Sequence, residues 1–149
     1  MAMLRGSSSA ETNVGIERCW ALAQDVEHAP EWQHGLERVE VLERDAEGRP
    51  LLCDTVSDAK FTKVRCRVRF EYEAAGRVSW SMVSSEDLEA MDGSWELEPI
   101  GGTATRVTYS LAVDPGPIGL LARPLERVLR PLVVGRRAEE FVSELTRRG

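Results

Sequence analysis

The feature that most constrains the fold is a strict alternation of apolar and charged residues from Val64 to Tyr72. The nine residues read VRCRVRFEY. Successive side chains of a strand point to opposite faces, so this period predicts a strand with one face in the core and one in water. Such half-buried strands are typical of antiparallel sheets, whose apolar face another layer must cover.

Six further segments are expected to form strands, separated by turn residues such as Gly48, Gly76 and Pro99; the first of them is short and polar and carries no such alternation. They are residues 3–12, Leu36–Arg44, 51–57, 78–82, 93–98 and 107–113. In residues 51–57 apolar side chains occur at both parities, so the direction of each side chain is left open there.

Helical spacing appears on both sides of this run of strands. Ile16, Cys19, Trp20 and Ala23 share a face, and Asn13 is the expected N-cap of that helix. A second short helix is expected to begin at His28 and to end at Gly35, with Pro30 in its first turn, where proline is well tolerated. The C-terminal residues predict a long helix with two apolar faces and a bend or break between Pro131 and Gly135. Its faces carry Leu121, Leu125, Val128 and Leu132, and then Ala138, Phe141, Val142 and Leu145.

The order of elements therefore predicts an α+β fold. Consecutive strands favour antiparallel hairpins, and helices at both ends would cover one face. We expect a curved sheet of about seven strands around the long C-terminal helix, with two short helices between strands 1 and 2. The apolar face would carry Val68, Phe70, Trp80, Met82, Trp95, Leu97, Tyr109 and Leu111.

Length and charge narrow the class further. The 149 residues fit one domain, residues 1–149, and the net charge of −6 argues against a nucleic-acid partner, since such domains are usually basic. We find neither a signal-like apolar run nor an apolar stretch near the ~20 residues that cross a bilayer. Cys19, Cys53 and Cys66 form no metal-binding pattern, so free thiols in a cytoplasmic protein are expected.

Three groups of residues stand out beside the long C-terminal helix. The groups are Trp20-Ala21-Leu22 with Asp25-Val26-Glu27 and Pro30-Glu31-Trp32, then Val78-Ser79-Trp80-Ser81 with Asp92-Gly93-Ser94-Trp95, and Thr105-Arg106-Val107-Thr108-Tyr109. They resemble the START/polyketide cyclase (SRPBCC) superfamily, whose fold is called helix-grip. The resemblance runs from about Arg5 to Arg147 and implies a cavity for a hydrophobic ligand between the sheet and the last helix.

The expected ligand-binding residues are those that the apolar face and the last helix would turn toward such a cavity. Flat indole rings and flexible methionines suit either a solid core or a ligand wall, and both alternatives stay open. The candidates are Trp32, Cys66, Val68, Phe70, Trp80, Met82, Met91, Trp95, Tyr109, Leu111, Leu125 and Leu129.

Catalytic candidates are few. Tyr72 and Tyr109 could orient a ligand or act as a general acid, and Asp54 could act as a base if its strand turns it inward. Aromatase/cyclases of the superfamily are thought to use an arginine and a tyrosine inside the cavity. By parity, however, Arg65, Arg67 and Arg69 belong to the solvated face of their strand. His28 and His34 are six residues apart and are expected at the surface, so no metal or other cofactor is predicted.

Three functions remain open at this point. The first is binding or transport of a lipid, isoprenoid, quinone or polyketide-like molecule. The second is a polyketide cyclase, dehydrase or aromatase, and the third is an interaction module without a ligand. The arginines near the C-terminus are expected on a solvated helix face that could gate the cavity or touch an anionic membrane surface transiently. They are Arg123, Arg127, Arg130, Arg136 and Arg137.

Overall fold

A computed structural model describes residues 4–58, 63–73, 76–116 and 136–149. The predicted α+β class is confirmed, with seven curved antiparallel strands and two short helical segments between the first two. The elements are β1 (Leu4–Thr12), α1 (Ile16–Gln24), a 3-10 segment (Val26–Glu31), β2 (Leu36–Arg44), β3 (Pro50–Asp58), β4 (Lys63–Glu73), β5 (Arg77–Ser85), β6 (Ala90–Ile100), β7 (Ala104–Asp114) and α2 (Arg137–Arg148).

The strands form one sheet in the order β1-β7-β6-β5-β4-β3-β2, and all neighbours are antiparallel. Strands β2 to β7 follow one another through hairpins, whereas β1 lies at the opposite edge from β2. The connection through α1 and the 3-10 segment therefore runs from one edge of the sheet to the other. This connection and α2 lie on the same face, where they pack against β1, β2, β6 and β7.

The alternation in β4 is confirmed in detail. Residues at even positions from Val64 to Phe70 are buried, and the arginines between them are exposed. Arg67 pairs with Asp54 of the neighbouring strand β3 at 2.8 Å, and Arg69 lies 3.9 Å from Glu43 of β2, on the far side of β3. The three arginines therefore belong to the solvated face, as the parity predicts.

The N-cap of α1 and the start of the second helical segment differ from the predictions. The N-cap of α1 is Gly15 and not Asn13, and the Thr12 hydroxyl accepts the N–H of Val14 at 3.2 Å in the preceding turn. The second segment is a 3-10 helix that begins at Val26, directly after α1, and Pro30 lies near its end. The cause is local: the carbonyl of Asp25 already accepts the N–H of His28 at 3.3 Å, which starts the tighter helix earlier.

Helix α2 covers the sheet next to β1 and β7 and touches α1. Its residues Phe141 and Leu145 are buried in the same core as the apolar face of the sheet. The first face predicted for the C-terminal helix, which includes Leu125, lies outside the described residues, and so do the ligand-binding candidate Leu129, Pro131 and Gly135. None of the described helices has the length and apolarity needed to cross a bilayer.

Candidate functional site

A cavity of about 120 Å³ lies between the inner face of the sheet and the helical layer. Its walls come from α1, the 3-10 segment and the following turn, strands β2 to β7, and the first residue of α2. Most of this lining is apolar. The described lining residues are Leu22, Ala23, Asp25, Val26, Ala29, Trp32, Gln33, Leu36, Val39, Thr55, Ser57, Val64, Val68, Phe70, Trp80, Leu88, Met91, Trp95, Tyr109, Leu111, Val113 and Arg137.

Aromatic rings form one continuous part of this wall. The ring of Trp95 lies 4.8 Å from Tyr109 and 4.9 Å from Phe141, measured between centroids. Trp32 meets Phe141 edge-on at 5.7 Å, and Trp80 lies 5.8 Å from Tyr109. Tilted and edge-on contacts of this kind are the favoured geometries of aromatic pairs, so the rings hold one another in place.

Gly93 on β6 gives Trp80 its position. The two residues face each other across the β5–β6 pair, and a Cβ on Gly93 would lie 2.4 Å from the indole ring. The indole therefore lies flat over the backbone of β6, which is an arrangement that only glycine permits. Any side chain at this position would push the ring toward the cavity.

Arg137 lies in the site, although its position there was not predicted from the sequence. It was expected on a solvated face, but only 7% of its side chain is exposed, so that assignment is wrong. It is the first residue of α2, and the next N–H, that of Ala138, donates to the Ser8 hydroxyl of β1 at 3.1 Å. This contact fixes the start of the helix, and Arg137 then points to the core one turn before Phe141. Its position four residues before that buried ring was the available signal.

Glu140 neutralises Arg137 and also ties it to the turn that carries Trp32. The Arg137 guanidinium donates to Oε1 of Glu140 at 2.9 Å, and the other oxygen accepts the N–H of His34 at 3.0 Å. A cation at a helix N-terminus is opposed by the helix dipole, typically by 0.3–1 kcal/mol. The arginine therefore occupies a place that helix stability alone would not favour.

Two buried N–H groups in this wall have no partner. Within the described part of the chain, Nε1 of Trp32 and Nε of Arg137 are the buried side-chain polar atoms without a hydrogen bond. Both residues line the cavity. A buried donor without an acceptor costs about 1–3 kcal/mol, so two in one wall call for an explanation.

The two candidate tyrosines differ in position. Tyr109 is buried in the wall beside Arg137, and burial raises its pKa to about 12 although the guanidinium acts in the opposite direction. Tyr72 does not line the cavity: its hydroxyl donates to the carbonyl of Pro50 at 2.5 Å, and Arg49 lies 4.4 Å above its ring. Burial raises the pKa of Tyr72 as well. The structure therefore keeps one of the two tyrosines in the site.

Asp54 was a candidate base only if its strand turned it inward, and the structure turns it outward. Asp54 lies opposite Arg67 in the β3–β4 register and is hydrogen-bonded to it on the outer face, which holds the pKa of its carboxyl low. The three cysteines are free and buried. Burial raises their pKa values, to about 11 for Cys53, so the thiols stay protonated at neutral pH.

Most of the predicted ligand-binding residues lie in this wall. Cys66 and Met82 instead belong to the adjacent core, and Leu125 and Leu129 lie outside the described residues. The residues that do line the cavity are Trp32, Val68, Phe70, Trp80, Met91, Trp95, Tyr109 and Leu111. Whether they contact a ligand stays a prediction.

The two histidines lie at the surface, as expected. His28 is more than half exposed, and its hydrogen bond with Asp25 at 2.6 Å raises its pKa. His34 is exposed as well. Among the described residues there is no group of three histidine, cysteine or acidic side chains that could hold a metal ion.

Comparison with known proteins agrees with this architecture. Residues 3–148 match the family model described as polyketide cyclase/dehydrase and lipid transport. A START superfamily protein from Mycobacterium smegmatis superposes with a TM-score of 0.75 at 17% identity, covering 99% of both chains. The Zhui aromatase/cyclase from Streptomyces sp. superposes with a TM-score of 0.81 at 14% identity, covering 99% of this chain and 96% of that one.

A protein from Thermus thermophilus also has a TM-score of 0.81, at 21% identity over 98% of this chain and 99% of that one. Among curated proteins no sequence match is found. At these identities the solved structures establish the shared fold alone, whereas the family model spans nearly the whole sequence. The chain belongs to the polyketide cyclase/dehydrase and lipid transport family.

Proposed function

We propose that this protein binds an apolar small molecule inside the cavity and serves as its carrier. The observation that supports this most directly is an apolar, aromatic-lined cavity whose wall holds two N–H groups without partners. Ligand sites are typically concave and mostly apolar, with a few polar groups that orient the ligand. Isoprenoids, quinones, lipids and polyketide-like molecules all have this character.

The protonation states in the wall favour binding over catalysis. The pKa of Tyr109 is raised to about 12, so its hydroxyl stays protonated and can orient a ligand oxygen without accepting a proton. Asp25, the acidic lining residue, is hydrogen-bonded to His28 and lies 3.4 Å from Arg148. The Asp25 carboxylate is thus already engaged by partners of this chain.

A polyketide cyclase, dehydrase or aromatase is the second candidate, because Tyr109 and Arg137 lie side by side in the cavity. A guanidinium beside a phenol could polarise a ligand carbonyl and donate a proton to the oxygen that forms. This assignment is tested by Tyr109→Phe in a turnover assay with a poly-β-ketone substrate. Full turnover in the variant would remove Tyr109 from that role.

The binding proposal is tested by native mass spectrometry of freshly purified protein, followed by organic extraction of anything bound. We expect a discrete extra mass that extracts into the solvent. Val39→Phe should lower the bound fraction at least severalfold, because Val39 lines the cavity. Val41→Phe is the matched control, since Val41 is a half-buried residue of the same strand that does not line it.

The outcomes separate the candidates. Equal loads in the two valine variants would mean that the molecule is bound elsewhere and would contradict the proposal. A protein that stays free of any added mass, even after incubation with a quinone or a fatty acid, would favour an interaction module instead.

Since the three thiols are free, we infer that the single domain of residues 1–149 works in a reducing compartment, the cytoplasm.

A further inference from the structure

The polar groups of the cavity wall restrict which kinds of ligand can bind there, an inference that rests on the proposed binding function. Nε1 of Trp32 and Nε of Arg137 can only donate hydrogen bonds, and neither has an acceptor. Both are held in place, Trp32 by its contacts with Trp95 and Phe141 and Arg137 by Glu140. An oxygen acceptor brought by a ligand would satisfy both donors.

The charge of that acceptor follows from Glu140. Its carboxylate already neutralises Arg137 at 2.9 Å, so the buried pair carries no net charge. A second carboxylate in the cavity would add an uncompensated negative charge next to Glu140, and such burial is costly. A carbonyl oxygen adds no charge and offers two lone pairs to N–H donors. The wall is therefore matched to an uncharged oxygen acceptor.

The size of the ligand is set by the space. The cavity of about 120 Å³ is close to the ~150 Å³ apolar cavity that accommodates benzene in another protein. The aromatic wall around Trp80, Trp95 and Tyr109 favours a flat ring. We propose that the cavity selects a single-ring aromatic group bearing an uncharged carbonyl oxygen, which accepts the N–H groups of Arg137 and Trp32.

Three probes of similar size test the inference in calorimetric titrations of the intact protein. They are ethylbenzene, which has no acceptor, acetophenone, which has a carbonyl, and benzoate, which has a carboxylate. Acetophenone should bind about tenfold or more tightly than either of the others, because it satisfies buried donors without adding charge. Equal affinity for acetophenone and ethylbenzene, or tightest binding of benzoate, would overturn the inference while leaving apolar binding intact.

Variants assign the preference to its residues. Arg137→Met and Trp32→Phe should each reduce the preference for acetophenone over ethylbenzene to about threefold or less, with ethylbenzene itself changed about twofold at most. Arg136→Met is the matched control: its side chain is 86% exposed, and the preference should be unchanged. If both variants keep the full preference, the two N–H groups do not recognise the ligand and the inference fails.

Glu140→Gln gives the sharpest test, because it removes the charge and keeps the shape. The uncompensated guanidinium should then favour an anion, so the affinity for benzoate relative to acetophenone should rise about tenfold or more. An unchanged ratio would contradict the role given to Glu140. If none of the probes binds the wild-type protein, this inference fails, whereas the proposed binding function fails only if the protein also takes up no quinone or fatty acid in the mass-spectrometric test.

Discussion

Each end of α2 pairs arginine with glutamate, but the two ends differ in how completely these side chains are hydrogen-bonded. At the N-terminal end, Arg137 is buried beside Glu140 and one of its N–H groups has no acceptor. At the C-terminal end, Glu144 is 3% exposed and accepts hydrogen bonds from both Arg147 and Arg148, each at 2.7 Å. One end is therefore incomplete and faces the cavity, whereas the other is complete and faces α1.

The difference separates structural groups from groups that are available for binding. The C-terminal cluster continues through Arg148 to Asp25 at 3.4 Å, and Arg18 of α1 donates to the carbonyl of Leu145 at 3.1 Å. Its cations also follow the helix dipole, which favours positive charge at a C-terminus. At the other end the cation opposes the dipole and the hydrogen bonding is unfinished. We expect the C-terminal end of α2 to contribute stability and the N-terminal end to contribute ligand recognition.

The largest expected effect is that of Glu144→Gln. The variant loses the charge that holds Arg147 and Arg148, and hydrogen bonds to charged groups contribute about 1.5–3 kcal/mol. Because Arg147 is largely exposed, we expect the lower part of that range, a loss of about 1.5–2 kcal/mol in the free energy of unfolding. Urea denaturation measures it. Glu139→Gln, at an exposed position of the same helix, should change stability by less than about 0.5 kcal/mol.

Lowering the pH should gradually remove the stabilisation that the Glu144 carboxylate provides. Hydrogen bonds from Arg147, and then from Arg148, hold the pKa of Glu144 at about 2, below its ordinary value of 4.5. A carboxyl with a lowered pKa stabilises the folded state above the ordinary pKa, and this contribution declines as the pH falls toward the folded-state value. The stability difference between wild type and Glu144→Gln should therefore shrink between pH 4.5 and pH 2. A constant difference, measured by urea denaturation across that range, would show that charge is not its cause.

The smallest expected effect is that of Arg137→Met on stability. The methionine removes an unpartnered buried donor, and apolar replacements of buried ion pairs are often neutral. Glu140 keeps the N–H of His34 and stays partly exposed, so it is not left as an isolated buried charge. We expect a change of less than about 1 kcal/mol in urea denaturation. A loss above about 3 kcal/mol would make Arg137 a structural residue and break the comparison between the two ends.

The sheet could be predicted because the alternation within its strands is physical and local. In β4 each apolar residue from Val64 to Phe70 faces inward. The same alternation in β5, β6 and β7 places Trp80, Trp95 and Tyr109 in the cavity wall. In β3 apolar side chains occur at both parities, so the sequence left the direction of Asp54 open. The pairing with β4 decides it, because Asp54 lies opposite Arg67 on the outer face.

Arg137 could not be placed from the sequence for a different reason. Its burial depends on the angle at which α2 crosses β1 and β7, and that angle is set by contacts with residues far away in the chain. One of them is the hydrogen bond from Ala138 to Ser8, which are 130 residues apart. Helical periodicity describes the neighbours of a residue along its own helix, not the surface against which the helix lies.

The pairing of the first strand with the last has a consequence for biosynthesis. Ser9 of β1 and its neighbour Thr108 of β7 are 99 residues apart, so β1 leaves the ribosome long before its partner exists. Pairings between such distant segments form slowly, and an unpaired strand edge is exposed to aggregation in the meantime. The hydrogen bond from the N–H of Ala138 to Ser8, which fixes the start of α2, depends on the same strand. The start of α2, which brings Arg137 into the cavity wall, is therefore fixed only after the first and last strands have been made and paired.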